Sequence, residues 1–223
     1  KRNKVALFDA EAKIGAVADG LRTVTLSTGE SITAPHVIIA TGARARSLPG
    51  IVADGKSILT YREAMVPETM PKSLLIIGSG AIGAEFASFY HDMGVEVTLI
   101  EAMDTILPVE DAEISAIVQK AFAKRGIKII TGAKLRRLTN TSKTGASKTS
   151  VTATLEGSGE DLIAERAILA VGIIGNTENL GLEGSAVVID RGHIVTDQWA
   201  ATAEPGIYAI GDVTGAPWLA HKA

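Results

Sequence analysis

The sequence contains no cysteine, so these 223 residues can form neither a disulfide nor a thiolate zinc site. Aromatic residues make up only 4 %, which leaves the core to Val, Ile, Leu and Ala. No basic block stands out and the net charge is −3, which argues against a nucleic-acid footprint. No uncharged apolar run approaches the roughly 20 residues of a membrane-spanning helix. His36, His91 and His193 do not cluster with acids at ligand spacing, so no metal is assigned. The opening Lys1-Arg2-Asn3-Lys4 has no initiator Met and no signal or transit pattern. With the abrupt close at His221-Lys222-Ala223, the expectation is an internal piece of a longer protein. Cysteines, targeting segment and compartment of that parent would lie outside this sequence.

Apolar residues reach 46 % and charged residues 21 %, a globular balance rather than a disordered one. Val5–Phe8 and Arg22–Leu26 read as strands, Thr28-Gly29 as a turn and Glu30–Thr33 as the return strand. His36–Ala40 (H-V-I-I-A) is a continuous apolar run of the kind found in buried parallel strands. Residues 43–72, broken by Pro49-Gly50, Pro67 and Pro71, read as an irregular linker with a short helix within Ser57–Met65. Ser73–Ile77 is again a buried strand, Ala81–Met93 a helix ended by Gly94, and Val95–Ile100 the next strand. Asp111 caps a helix to Arg125 with Ile114, Ile117, Val118, Ala121 and Phe122 at helical spacing. Ile127–Ile130, Lys134–Leu138, Ser150–Leu155, Asp161–Ile163, Arg166–Val171 and Ile207–Ile210 are further strands. The polar tract Asn140–Lys148 reads as a flexible hairpin loop rather than a regulatory site.

The plan repeats. Residues 22–42 and 150–172 both run strand, turn, strand, then a buried strand that ends in a small residue and Gly42 or Gly172. Such repetition marks duplicated modules. A strand–glycine loop–helix–strand unit (residues 73–100) precedes the second copy, and its counterpart for the first is expected upstream. The expected fold is α/β, with two such modules carrying three-stranded meanders, the later module complete and the earlier one incomplete. The boundaries place residues 1–66 and 193–223 in the earlier module and 67–192 in the later one.

Gly78-Ser79-Gly80-Ala81-Ile82-Gly83 fits G-x-G-x-x-G, follows a buried strand and opens a helix, which is the context a dinucleotide fingerprint requires. The first glycine turns the chain, the second admits a pyrophosphate and the third packs helix on strand. The helix N-terminus offers unpaired N–H groups to the phosphates. Glu101 closes the next strand about twenty residues on, where an acid accepts from the adenosine ribose hydroxyls. No Arg follows in Ala102-Met103-Asp104-Thr105, so the acid favours NAD over NADP. Glu85 reads either as a first-turn carboxylate stabilised by the helix dipole or as a group facing the nicotinamide.

Thr202-Ala203-Glu204-Pro205-Gly206-Ile207-Tyr208-Ala209-Ile210-Gly211-Asp212 resembles the second FAD motif of two-dinucleotide flavoproteins. Other marks are I-I-A-T-G (38–42), G-S-G-A-I-G-A-E-F-A-S-F-Y (78–90), E-A-M-D-T-I-L-P (101–108), G-N-T-E-N-L-G-L-E (175–183) and G-D-V-T-G-A-P-W-L-A-H-K-A (211–223). Together, over essentially the whole chain, they resemble the pyridine nucleotide-disulfide oxidoreductase family, and the closing L-A-H-K resembles its lipoamide-oxidising branch. The resemblance implies that the two modules are Rossmann-like and dinucleotide-binding, a complete one for NAD and an incomplete one for FAD. It implies that Gly78–Gly83 and Glu85 wrap NAD, that Glu101 binds its ribose, that Leu135 offers backbone to the adenine and that Gly172 lies near the nicotinamide half. For FAD it implies Ala12 and Thr41-Gly42-Ala43 beside the adenosine part, Asp212 on the ribityl chain, and Trp218, Leu219, Ala220 and His221 around the flavin ring.

Three positions depart from the family pattern. Ile173 stands where an Arg often follows the glycine, Trp218 where Met is common, and Ala81 where larger side chains often gate the nicotinamide site. In the parent, the resemblance implies that dihydrolipoamide, carried on a lipoyl domain, reduces a cysteine pair. Electrons then pass to FAD and hydride to NAD⁺, with a His–Glu base from a C-terminal domain that also forms a homodimer. The implied compartment is the bacterial cytoplasm or the mitochondrial matrix. The cysteines and the His–Glu pair are absent from this sequence, so no catalytic residue is assigned, and NAD binding with little bound flavin is expected. Glutathione reductase, mercuric reductase and NADH oxidase are rival family members, the first two disfavoured by Glu101 in so far as they use NADPH. A self-sufficient NAD-binding module is the non-enzymatic rival. It requires residues 1–66 and 193–223 to pack without an exposed sheet edge or apolar gap.

Overall fold

The computed structural model describes residues 3–142, 149–157 and 160–221. Two compact units divide the chain. Unit 2 is Ala45–Ile173, and unit 1 combines the chain up to Arg44 with the chain from Ile174 onward.

Unit 2 is built on a five-stranded parallel sheet in the order Ile58–Leu59, Arg166–Leu169, Ser73–Ile77, Glu96–Ile100, Lys128–Ile130. Because strand side chains alternate, Ser73–Ile77 serves two cores at once. Leu74 and Ile76 meet a cluster with Ala84, Ala87, Tyr90 and Phe122 from the helices Ala81–Asp92 and Ala112–Arg125. Leu75 and Ile77 meet Leu138, Val151, Ala153, Leu155 and Ala164. Those residues come from the antiparallel meander Leu135–Asn140, Val151–Leu155, Asp161–Ala164. Coverage on both faces is why this strand reads as an unbroken apolar run.

Helix boundaries follow local chemistry. The Asp111 carboxylate accepts from Glu113 N at 2.9 Å, and Gly126 ends that helix at φ +104°. Thr60 and Glu63 form a reciprocal capping box on the short helix Tyr61–Met65. The Tyr90 hydroxyl donates to Ala64 O at 2.7 Å and fastens that short helix to Ala81–Asp92.

Unit 1 contains the meander Ala12–Ala18, Leu21–Leu26, Ser31–Ala34 and a parallel pair, Val37–Ile39 with Ile207–Ala209. Its core is Ile39, Leu182, Ile194, Ile207, Ala209 and Val213. Arg22, almost fully buried, donates to Gly15 O, Pro205 O and the Glu204 carboxylate, and so ties the meander to the returning segment. The meander therefore recurs in both units, each time followed by a parallel strand and a glycine at positive φ, Gly42 at +69° and Gly172 at +104°.

Several sequence expectations are corrected. Val5–Phe8 is not a strand, and Val5 and Leu7 are 77 % and 92 % exposed. The first meander begins instead at Ala12. Residues 45–72 are part of unit 2 rather than a linker, because Ile58–Leu59 forms its edge strand and Ala64 enters its core. Contacts divide the chain after Arg44 and Ile173 rather than after residues 66 and 192. The second shift arises because Leu180 O accepts from Ile14 N at 2.7 Å and Leu182 enters the unit 1 core. The helix at 112–125 buries Ser115 and Phe122, while Ile114 and Ile117 lie outward. The stretch 143–148 of the polar hairpin loop lies outside the described residues.

Candidate nucleotide-binding site

The register of the unit 2 sheet aligns Leu169, Ile77, Ile100 and Ile130. The residues that follow each strand therefore emerge together along its carboxyl edge, where open parallel sheets bind ligands. Gly78–Gly83, Glu101 and Gly172 all arise there, with Leu135 entering the meander shortly after Lys128–Ile130.

The three glycines have different surroundings. Gly78 sits at φ +98°, and a Cβ there would collide with the Ala170 carbonyl. A Cβ on Gly83 would collide with the Gly78 carbonyl, so only glycine lets the helix approach the turn. Gly80 has nothing within 4 Å of its would-be Cβ and caps the helix with no side-chain hydrogen bond. The first helical N–H groups thus have no side-chain cap, and a phosphate would find an open approach. Gly78 N donates to Ile100 O at 2.8 Å and Leu107 N to Ser79 O at 2.9 Å, which fixes the turn against the neighbouring strand.

Glu101 is 8 % exposed and Ser79 is fully buried beside it. Glu101 Oε2 accepts from Ser79 N at 2.8 Å and from Ser79 Oγ at 2.7 Å, and Oε1 accepts from Met103 N at 2.9 Å. The Ser79 hydroxyl and the Met103 amide were not legible as partners of the acid. The available signal was a hydroxyl residue at a variable position of the glycine motif. Glu85 is exposed in the second turn, and the first turn holds no acid. A dipole-stabilised first-turn carboxylate is thereby corrected. Ala81 is exposed and Ile82 half-buried at the helix start.

In unit 1, Val37–Ile39 and Ile207–Ala209 run parallel, so Thr41-Gly42 and Gly211-Asp212 follow the same ends of adjacent strands. Asn176 secures the first of these. Its Nδ2 donates to Thr41 O at 2.9 Å, its N to Gly42 O at 2.9 Å, and Thr41 Oγ1 donates to Asn176 O at 2.7 Å. Arg44 forms a forked pair with Glu178 and also reaches Asn176 Oδ1. The hydrogen bond from Arg44 holds the Glu178 carboxyl below its ordinary range. Asp212 is half-buried in the 3₁₀ turn Gly211–Thr214. Ala43 is half-buried, and Ala12, paired with Leu26, is exposed. Trp218, Leu219, Ala220 and His221 are exposed, with the Trp218 ring 6.0 Å from that of His193. Among the described residues unit 1 has no α-helix, and so no helix N-terminus to receive a pyrophosphate. No group of three or more His, Asp or Glu could hold a metal, and no helix is long and apolar enough to cross a membrane, again among the described residues.

Residues 2–223 match the family described as pyridine nucleotide-disulphide oxidoreductase. The chain is 50 % identical to a dihydrolipoyl dehydrogenase of Rhizobium etli over all of its own length and 49 % of that protein. It is 46 % identical to a dihydrolipoyl dehydrogenase of Zymomonas mobilis over all of its length and 47 % of that protein. Among solved structures, LpdA from Mycobacterium tuberculosis superposes with a TM-score of 0.84 at 32 % identity, covering 96 % of this chain and 47 % of that one. The chain therefore spans about half the length of the relatives it matches.

Proposed function

The chain belongs to the pyridine nucleotide-disulphide oxidoreductase family, and on that premise we propose that unit 2 is the NAD-binding module of a dihydrolipoyl dehydrogenase. Unit 1 is then part of its FAD-binding module. The observation that carries the NAD assignment is the carboxyl edge of the unit 2 sheet, where the glycine turn, an uncapped helix start and a nearly buried Glu101 converge. The Gly80 backbone and the first helical N–H groups hold the pyrophosphate, and Gly78 and Gly83 permit the turn that presents them. Glu101 accepts from the adenosine ribose and disfavours a 2′-phosphate by charge. Leu135 lends backbone to the adenine side, and Gly172 and Glu85 border the nicotinamide side.

For FAD the fit is partial. Thr41-Gly42-Ala43 and Asp212 sit at adjacent strand ends suited to the adenosine and ribityl parts. Ala12 belongs beside the adenosine as well, and Trp218, Leu219, Ala220 and His221 belong at the flavin ring. The described residues of unit 1 supply no phosphate-receiving helix. When bound, nicotinamide and flavin supply the hydride chemistry, and the chain's part is binding and orientation.

The substrate of the whole protein is dihydrolipoamide on a lipoyl carrier, oxidised with NAD⁺ by a homodimer in the bacterial cytoplasm or the mitochondrial matrix. High identity to dihydrolipoyl dehydrogenases along the entire chain supports this branch over other disulfide reductases. The exposed apolar surface of unit 1 speaks against a self-sufficient NAD-binding module. A chimera tests the proposal. Placed in the matching half of the Rhizobium etli enzyme, this chain is expected to support NAD⁺ reduction by dihydrolipoamide. A folded, flavin-loaded chimera without that activity refutes the lipoamide assignment.

A further inference from the structure

A carboxylate has about four lone-pair positions, two on each oxygen. On Glu101, Oε2 receives both the amide and the hydroxyl of Ser79, at 2.8 and 2.7 Å, which fills it. Among the described residues, Oε1 receives only Met103 N, at 2.9 Å, and keeps one position. Ser79 is fully buried, so its hydroxyl is out of reach of a ligand on the edge of the sheet. Its carbonyl is engaged by Leu107 N, so the residue is held at both its amide and its carbonyl.

We infer that Ser79 is a positioning residue that makes Glu101 a one-hydroxyl reader: its side chain saturates Oε2, so the adenosine ribose is held through Oε1 by one of its two hydroxyls. The inference rests on the reading of unit 2 as an NAD site and goes beyond it. An acid with both oxygens free would accept from the 2′- and 3′-hydroxyls together. Here the serine takes the second share, and in exchange fixes the carboxylate so that it cannot swing away from the strand end.

The test is calorimetric titration of the 223-residue chain with NADH and with its analogues lacking the 2′- or the 3′-hydroxyl of the adenosine ribose. In the unaltered chain one analogue is expected to bind within about twofold of NADH and the other about tenfold or more weaker, as for loss of one hydrogen bond to a charged acceptor. In Ser79→Ala, with a position on Oε2 released, both analogues should bind more than about threefold weaker than NADH. Equal weakening by both analogues in the unaltered chain overturns the inference, as does equal binding of all three. So does an Ser79→Ala pattern identical to the unaltered one. Should Ser79→Ala not fold, the two analogues on the unaltered chain decide alone. Failure of NADH itself to bind would instead remove the NAD reading on which the inference stands.

Discussion

The strands Ser73–Ile77 and Val37–Ile39 are both apolar, both parallel-paired and both followed by a glycine at positive φ, yet their surroundings differ. In unit 2, Leu74, Leu75, Ile76 and Ile77 are all at most 4 % exposed. In unit 1, Ile39 is buried but Ile38 is 61 % exposed, and among the described residues the sheet has two strands. His36–Ala40 is an apolar run of the kind found in buried parallel strands. Parallel pairing is present, but among the described residues cover exists on one face alone. A short apolar run reports what a strand is suited to, namely burial on both sides. Whether that burial happens depends on which other elements are at hand. Val5, Leu7 and Phe8, also largely exposed, add to the apolar surface that unit 1 leaves open.

The sharpest way to break this contrast is ligand loading. The purified chain should bind NADH and carry almost no flavin, because among the described residues only unit 2 has a glycine turn at a helix start. A yellow preparation with stoichiometric flavin would erase the difference between the units.

Core truncation comes next. Ile76→Ala should destabilise unit 2 by about 2–5 kcal/mol, the usual cost of a cavity in a closed core. Hydrogen exchange of the Ser73–Ile77 amides should report it, and exchange unchanged from the parent chain would show that this core is less closed than its burial implies. Gly83→Ala should cost about 1–3 kcal/mol through collision with the Gly78 carbonyl. It should also abolish NADH binding. Gly80→Ala, with open space around its Cβ, should leave the melting temperature alone and weaken NADH binding only. Equal melting of the two variants would contradict the assigned glycine roles.

Acid sensitivity probes unit 2 more gently, through one carboxylate. Burial raises the Asp54 carboxyl, but hydrogen bonds from Ile58, Lys56 and Ser57 amides and from Asn140 more than offset it and hold it below the ordinary value of 3.8. A depressed folded-state value contributes stability that is complete above 3.8 and is lost as pH falls through the folded value beneath it. Asp54→Ala should cost about 1–2 kcal/mol at neutral pH and flatten the unfolding of unit 2 on acidification. An acid limb as steep as that of the parent chain would exclude Asp54 as its source. The smallest effect belongs to Ile38→Ala, expected within about 0.5 kcal/mol of the parent because the side chain is already exposed. A loss as large as that of Ile76→Ala would mean that Ile38 is covered in solution.

Most strand and helix positions were legible because each rests on local chemistry. Asp111 and Gly126 bound one helix by capping, the apolar run at 73–77 defined a strand, and the glycine motif with its following acid located the edge of the sheet. The edge strand Ile58–Leu59 was not legible, since two residues carry no period and only pairing with Arg166–Leu169 makes them a strand. The outward turn of Ile114 and Ile117 was hidden for a related reason. Helical spacing shows that apolar residues share a face, but not which neighbour that face meets.

Sequence alone determined the duplicated plan, the strand–glycine–helix unit and the acid placed after it, because turns, caps and apolar periods are properties of neighbouring residues. Tertiary structure alone decided that Ser79 occupies an oxygen of Glu101, that Asn176 secures Thr41, and that one apolar strand is enclosed while its counterpart is open. Those outcomes depend on contacts between residues far apart in the chain, and such contacts form only when separate elements come together in a particular register.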